Sequence, residues 1–134
     1  MNSGLRTIEA MMMPERNAAT AYRRVELDAR IEAARGSELT RICLEEVVAA
    51  LGQALAALER RPNANPRESL ARAHGIALWL ALSVDPANPV RDALVQFYGG
   101  LASVIRRNMV RAVPDEIAGA RGDFADLLEA AKAP

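Results

Sequence analysis

The sequence has few of the residues that form disulfides or bind zinc in small proteins. It contains one cysteine, Cys43, and one histidine, His74. A lone cysteine cannot form an internal disulfide, and these two side chains are too few for a typical zinc site, which takes three or four His or Cys ligands. We therefore predict neither a disulfide framework nor a structural zinc site.

An excess of charge of either sign is also absent. The 17 Lys and Arg residues balance 17 Asp and Glu residues, so the net charge at pH 7 is 0. Such a chain has no net positive field to attract a phosphate backbone. Paired arginines such as Arg60-Arg61 and Arg106-Arg107 are interpreted as solvated helix faces, and no nucleic-acid partner is predicted.

Long apolar runs are missing as well. The longest nearly apolar stretch, Gly75 to Val84, is half as long as the roughly 20 residues that cross a bilayer. Met11 to Met13 lies near the start of the chain, but Glu9 and Pro14 interrupt the apolar stretch that a secretory signal needs. We predict no membrane insertion and a location in the cytoplasm.

Residues that favour β-sheets are scarce. Phe, Trp and Tyr make up 4% of the chain and Thr occurs only at positions 7, 20 and 40, whereas 51% of the residues are apolar. Alanine, the best helix former, is the commonest residue. A chain of this length buries about 68% of its unfolded surface, which is enough for one core. The composition therefore predicts an all-α domain.

Apolar residues recur at spacings of three and four and divide the chain into helices. Breaks fall where Gly36-Ser37, Asn65-Pro66, Asn88-Pro89 and Pro114-Asp115 supply helix-ending and helix-starting residues. Short connections make neighbouring helices antiparallel. We predict an antiparallel up-and-down four-helix bundle with an additional helix, in one domain over 16–132 that follows a flexible segment, 1–15. The predicted helices are 16–34, 37–59, 66–84, 89–112 and 114–132. Asn65 and Asn88 are the predicted N-caps of the third and fourth helices.

Two consecutive glycines, Gly99-Gly100, lie in the middle of the fourth predicted helix. Each costs a helix about 1 kcal/mol relative to alanine, so a compensating role is expected. We predict that they permit a close approach of a neighbouring helix. They are not a phosphate-binding loop, because no strand precedes them and no Lys-Ser or Lys-Thr follows.

No arrangement of residues points to catalysis. The nearest carboxylate to His74 in sequence is Glu68, which has the wrong spacing for a di-metal bundle site. Cys43 lies within an apolar stripe and is interpreted as a small core residue. We therefore predict that the protein is not an enzyme.

Three stretches carry more apolar surface than one helix face can hold: 44–55, 78–82 and 97–105. Such helices are either central in the bundle or present a groove to an amphipathic partner helix. The residues alone leave both interpretations open.

A set of motifs in a fixed order makes the chain resemble the FliS family of flagellar export chaperones. The resemblance covers roughly residues 18–128. The matching positions are Ala21-Tyr22, Gly36-Ser37-Glu38-Leu39, Ala73, Ile76, Leu80, Val84-Asp85, Leu94, Phe97-Tyr98, Leu101 and Ile105.

The resemblance implies a helical bundle without catalysis or cofactor. Members of this family bind the C-terminal segment of flagellin in the cytoplasm, prevent its premature polymerisation and deliver it to the type III export gate. It also implies that the segment bearing Tyr22, with Met11 to Met13, can fold back as a lid over the groove. The candidate flagellin-binding residues are Tyr22, Leu44, Val48, Leu78, Leu82, Phe97, Tyr98, Leu101 and Ile105.

Two alternatives remain at this point. The first is a self-associating helical bundle with an interaction or regulatory role and no flagellin client, whereas the flagellin chaperone is expected to be a monomer or weak homodimer. The second is a metal-carrying or catalytic bundle of the ferritin type, which the ligand count disfavours.

Overall fold

Four α-helices make up the part of the chain that the structure describes. The structure is a computed structural model and describes residues 37–132. Its helices are α1 (Ser37–Arg60), α2 (Arg67–Leu82), α3 (Arg91–Val110) and α4 (Pro114–Lys132). No strand occurs within these residues, so the predicted all-α class is confirmed. The predicted segment 1–15 and the additional helix over 16–34 lie outside the described residues.

The four helices form an antiparallel bundle. Helix α1 packs against α2 and α4, and α3 packs against the same two helices. Thr40 near the start of α1, Leu80 near the end of α2, Leu94 near the start of α3 and Ala131 near the end of α4 line one cavity. Because starts and ends alternate there, successive helices run up and down as predicted. We call this the cavity end; the opposite end holds the ends of α1 and α3 and the starts of α2 and α4.

The core is built from the apolar face of each helix. Helix α2 buries the face that its spacing predicts, because Leu70, Ala73 and Ile76 are almost fully buried and lie three residues apart. The largest fully buried apolar side chains of the described residues are Leu44, Val47, Leu51, Leu70, Ile105, Ile117 and Phe124. Within residues 37–132, no helix is long and apolar enough to span a membrane.

Two helices begin later than their sequence signals predict. Pro66, not Asn65, occupies the capping position of α2, and no side chain forms a capping hydrogen bond there. The carbonyl oxygen of Asn65 instead accepts the Arg67 N–H at 2.7 Å, which closes a tight turn. Helix α3 begins at Arg91 because the Asn88 side chain accepts the Val90 N–H and holds this stretch in a turn.

The predicted close packing of Gly99 and Gly100 is wrong. Within residues 37–132, a Cβ built on either glycine would have no atom of another helix within 4 Å. Helix α3 nevertheless runs through both residues without interruption. The two glycines therefore lower the stability of α3 without permitting a close crossing with another helix of residues 37–132.

Replacing Gly100 with alanine is therefore expected to stabilise the protein. Gly100 is exposed and helical, so the Gly100→Ala variant gains about 1 kcal/mol in the free energy of unfolding, measured by urea denaturation. Gly52→Ala in α1 is the matched control, because its Cβ would lie 3.3 Å from Nε of Arg121. That side chain would have to move, and a smaller gain is expected. Equal gains at both positions would contradict this assignment of open space.

A buried asparagine joins α3 to α4. Asn108 is 1% exposed, and its amide group donates to the Val104 carbonyl oxygen at 2.8 Å and to Oε1 of Glu116 at 3.0 Å. Its side-chain oxygen accepts the Val113 N–H at 2.6 Å. The hydrogen bond from Asn108 lowers the pKa of Glu116, and Arg107 acts in the same direction. One side chain thus fixes both the end of α3 and the entry into α4.

Candidate functional site

An open cavity of about 380 Å³ lies at the cavity end of the bundle. The nearly buried side chains of Leu80 and Tyr98 form its base, and the half-buried Val84 and Leu94 contribute apolar walls. Every helix contributes at least one lining residue. The cavity is therefore a feature of the bundle as a whole and keeps its shape only when all four helices are in place.

The connection between α2 and α3 forms one wall of this cavity. Its backbone is ordered by its own side chains: Asp85 accepts the Ala87 N–H and Asn88 accepts the Val90 N–H, both at 2.9 Å. These two Asx turns fix a stretch that has no helical hydrogen bonds of its own. The wall is thus preformed, which lowers the entropy cost of binding a partner there.

Three exposed apolar side chains lie at or near this end of the bundle. The exposed fractions are 75% for Leu82, 56% for Val90 and 39% for Phe97. Leu82 is the last residue of α2, and Val90 immediately precedes α3. Single exposed apolar residues are common on proteins, whereas several next to an apolar cavity mark an interaction surface.

Aromatic contacts connect this surface to the core. The rings of Phe97 and Tyr98 meet edge to face with centroids 6.4 Å apart, and the Tyr98 ring stacks on Phe124 at 6.5 Å. Both separations are within the range of favourable aromatic pairs. Burial, with a smaller contribution from Cys43, raises the pKa of Tyr98. Tyr98 thus stays neutral at pH 7 and joins the exposed Phe97 to the fully buried Phe124.

The structure distributes the predicted flagellin-binding residues over three environments. Leu82 and Phe97 are exposed, and Val48 and Leu78 are half-buried against the core. Tyr22 lies outside the described residues, as do Met11 to Met13 of the predicted lid. The candidates that the structure places in the core, all 6% exposed or less, are Leu44, Tyr98, Leu101 and Ile105.

Of these four core residues, only Tyr98 reaches the cavity. Leu44, Leu101 and Ile105 fill the space between helices, so their side chains offer no surface to a partner in this conformation. Apolar spacing gives a surplus of hydrophobic positions but does not say which of them the neighbouring helices cover. The prediction that these residues bind flagellin stays a prediction. Among the candidates within residues 37–132, Leu82 and Phe97 are the most exposed.

Val84 and Leu94 contribute to the surface although neither is in the candidate set. Helix α2 ends at Leu82, so Val84 follows the helix and lies on the cavity wall, and Leu94 lines the same cavity from the first turn of α3. Both are half-buried against the core, whereas Val90 is 56% exposed. A signal was available in Asp85-Pro86 and Asn88-Pro89, which mark a long turn at which helix faces are no longer covered.

Chemically reactive groups do not converge on the cavity. Within residues 37–132, no three His, Cys, Asp or Glu side chains come together in a way that could hold a metal ion. His74 is half-buried in α2, and burial, together with the nearby Arg106 guanidinium, lowers its pKa. A neutral, partly packed histidine at pH 7 agrees with its interpretation as a structural residue.

Cys43 is expected to be unreactive in the folded protein. Its side chain is buried in the core as predicted, and burial, with a smaller contribution from Glu46, raises the pKa of its thiol to about 12. Because the thiolate is the reactive form, the thiol should not react with Ellman's reagent at pH 8 over hours. One thiol should react promptly in guanidinium chloride. Prompt reaction of the native protein would contradict the burial of Cys43.

Comparison of the chain with models of protein families, with curated proteins and with solved structures finds no match. The fold is therefore described from the helices and contacts of this chain alone. What the protein does has to be inferred from the cavity, the exposed apolar residues beside it and the family resemblance of the sequence.

Proposed function

We propose that this protein is a cytoplasmic export chaperone that binds the C-terminal segment of flagellin. In this role it prevents premature polymerisation and delivers its client to the flagellar type III export apparatus. The ordered sequence motifs suggest the family, and one structural observation carries the proposal. This observation is an open apolar cavity at one end of the bundle, with exposed apolar side chains near it.

The cavity end suits an amphipathic client segment. Apolar side chains of such a segment can enter the cavity between Val84 and Leu94, while Leu82 and Phe97 pack against its flanks. The polar residues Ser83, Asp85 and Asn88 line the same cavity and can pair with polar groups at the edges of the segment. This pattern of an apolar centre with a polar rim is typical of protein interfaces.

Binding of this kind couples client folding to complex formation. A disordered segment loses conformational entropy when it binds, and burial of its apolar side chains must offset that loss. The preformed wall between α2 and α3 helps, because the chaperone has little to order on its own side. The bound segment is therefore ordered on the chaperone and is not available for polymerisation.

A pair of surface substitutions tests the proposed site. Leu82→Asp and Phe97→Asp each place a charge where the client would bury apolar surface, and each should weaken binding of full-length flagellin at least tenfold. Binding can be measured by surface plasmon resonance with immobilised flagellin. Because both side chains are exposed, circular dichroism should show an unchanged helix content.

The matched control is Val110→Asp at the opposite end of the bundle. Val110 is 86% exposed and lies at the end of α3, so the same chemical change should leave flagellin binding unaltered. Equal loss in all three variants, or no loss in any, would contradict the assignment of the cavity end. No complex of the unsubstituted protein with flagellin, together with a stable oligomer in sedimentation analysis, would favour the self-associating bundle.

A further inference from the structure

The opposite end of the bundle concentrates positive charge, although the whole chain is neutral. The end of α1, the start of α2 and the end of α3 together place exposed arginines there. Five of them are called the arginine cluster: Arg60, Arg61, Arg67, Arg106 and Arg111. Arg106 also lies near enough to α2 to interact electrostatically with His74. The cluster thus extends over three helices.

The arginines of this cluster are unpaired, in contrast to basic residues elsewhere. None of the five forms a salt bridge or side-chain hydrogen bond with any residue of 37–132. Toward the cavity end, Arg41 pairs with both Glu38 and Glu45, and Lys132 pairs with Glu129. The exposed carboxylates Glu59, Glu68 and Asp115 lie toward the same end, but none of them forms a salt bridge with the cluster. The five guanidinium groups therefore keep their donors available.

Helix stability does not account for the whole cluster. Arg60 ends α1 and Arg111 follows α3, so both are placed favourably at the negative ends of helix dipoles. Arg67, however, is the first residue of α2 and lies at the positive end of its helix dipole. A cation there is mildly unfavourable. Because Arg67 does not stabilise its helix, binding of a partner explains the arginine cluster better than helix stabilisation does.

An apolar residue lies next to these charges. Val110, which is 86% exposed, lines an open cleft of about 420 Å³ together with Arg107, Arg111 and Val113. Glu116 lines the same cleft and is already paired with Arg107 at 3.2 Å. Of the arginine cluster, Arg111 lines this cleft and Arg106 lies on the last turns of the same helix. The surface thus places an unpaired guanidinium group beside a small apolar centre.

We propose that the arginine cluster and the Val110 cleft are a second docking surface, which binds an acidic segment of a partner protein through carboxylates arranged around an apolar side chain. Guanidinium groups bind carboxylates through paired hydrogen bonds, and the cleft accepts the apolar residue. A nucleic acid fits less well, because no aromatic residue lies in the helical turns at this end to stack on bases.

This second surface goes beyond the proposed chaperone function and does not depend on it. The two surfaces lie at opposite ends of the bundle, so a client at the cavity end leaves the arginine cluster accessible. A chaperone with this arrangement can hold its client and contact an acidic receptor at the same time.

The test uses a fluorescein-labelled peptide in which glutamates flank two leucines, and an otherwise identical peptide with glutamine in place of glutamate. Fluorescence anisotropy with the full-length protein should show binding of the first peptide, weakening as salt rises, and no binding of the second. The double variant Arg106→Gln with Arg111→Gln should weaken binding about threefold or more. The control Arg91→Gln with Lys132→Gln removes two charges near the other end and should leave binding unchanged.

Equal weakening in both double variants would overturn the proposal, because it would reflect net charge and not a site. Tighter binding of a single-stranded oligonucleotide than of the acidic peptide at the same ionic strength would overturn it in favour of a nucleic acid. Oligomers of the protein that disappear in the Arg106→Gln, Arg111→Gln variant would identify a second copy as the occupant. Flagellin binding should be the same in this variant and in the unsubstituted protein, which separates this test from that of the chaperone function.

Discussion

Replacing Asn108 with leucine is expected to destabilise the protein by about 2 to 3 kcal/mol, because buried polar groups lose their partners. Leucine has the same branching and the same number of heavy atoms as asparagine, so no cavity forms. The loss reflects the missing hydrogen bonds together with the larger volume of the two methyl groups. The substitution leaves the Val113 N–H without its acceptor at 2.6 Å and removes the donor at 3.0 Å from Glu116, which keeps only Arg107. Thermal unfolding followed by circular dichroism should show a midpoint lowered by roughly 10 to 20 °C.

The control for this prediction is Asn63→Leu in the connection between α1 and α2. Asn63 is exposed and forms no side-chain hydrogen bond with residues 37–132. Its replacement should change the free energy of unfolding by less than about 0.5 kcal/mol. If Asn108→Leu were as mild as Asn63→Leu, the α3–α4 connection would have to be held by apolar packing alone.

The two phenylalanines of the chain are expected to differ sharply in their contribution to stability. Phe124 is fully buried at 0% exposed, so Phe124→Ala removes a large core side chain and leaves a cavity. Such substitutions cost about 3 to 5 kcal/mol. The stacking contact with Tyr98 is lost as well, and the base of the cavity end loses its support. Urea denaturation should show a much lower midpoint with little change in slope.

Phe97→Ala is the matched comparison, with the same chemical change in a surface position. Phe97 is 39% exposed and contacts Tyr98 edge to face. We expect a loss of about 1 kcal/mol or less, because the site is open to solvent and no closed cavity forms. In the flagellin-binding assay the same variant should be impaired. A large stability loss for Phe97→Ala would instead place this residue in the core and remove it from the proposed site.

The architecture of residues 37–132 follows closely from the apolar spacing of the sequence. The inward face of α2, with Leu70, Ala73 and Ile76, is the clearest case, since a helix between two neighbours must bury a broad stripe. The start of α4 at Pro114 also agrees, because proline and two acidic residues favour the first turn of a helix. These features depend on the spacing of apolar residues and on the residue types at helix ends, and both can be read from the sequence.

Features that depend on distances between helices could not be predicted in the same way. The sequence shows that Gly99 and Gly100 have no side chains, but it does not show how far away the neighbouring helix lies. In residues 37–132, no other helix comes within 4 Å of a Cβ built on either glycine. Asn108 lies in the apolar stripe of α3. Its hydrogen bonds with Val113 and Glu116 depend on how α3 and α4 are placed, which the sequence pattern does not show. The cavity arises from the same cause, because four helix ends fail to close over Leu80 and Tyr98.

The central claim is that the cavity end binds the C-terminal segment of flagellin, and isothermal titration calorimetry tests it most directly. A synthetic peptide of that segment, from the flagellin of the same organism, is titrated into the purified full-length protein at several temperatures. We expect a one-to-one complex with a large negative heat-capacity change, since apolar surface is buried as the peptide folds. The absence of binding heat at every temperature would contradict the flagellin assignment.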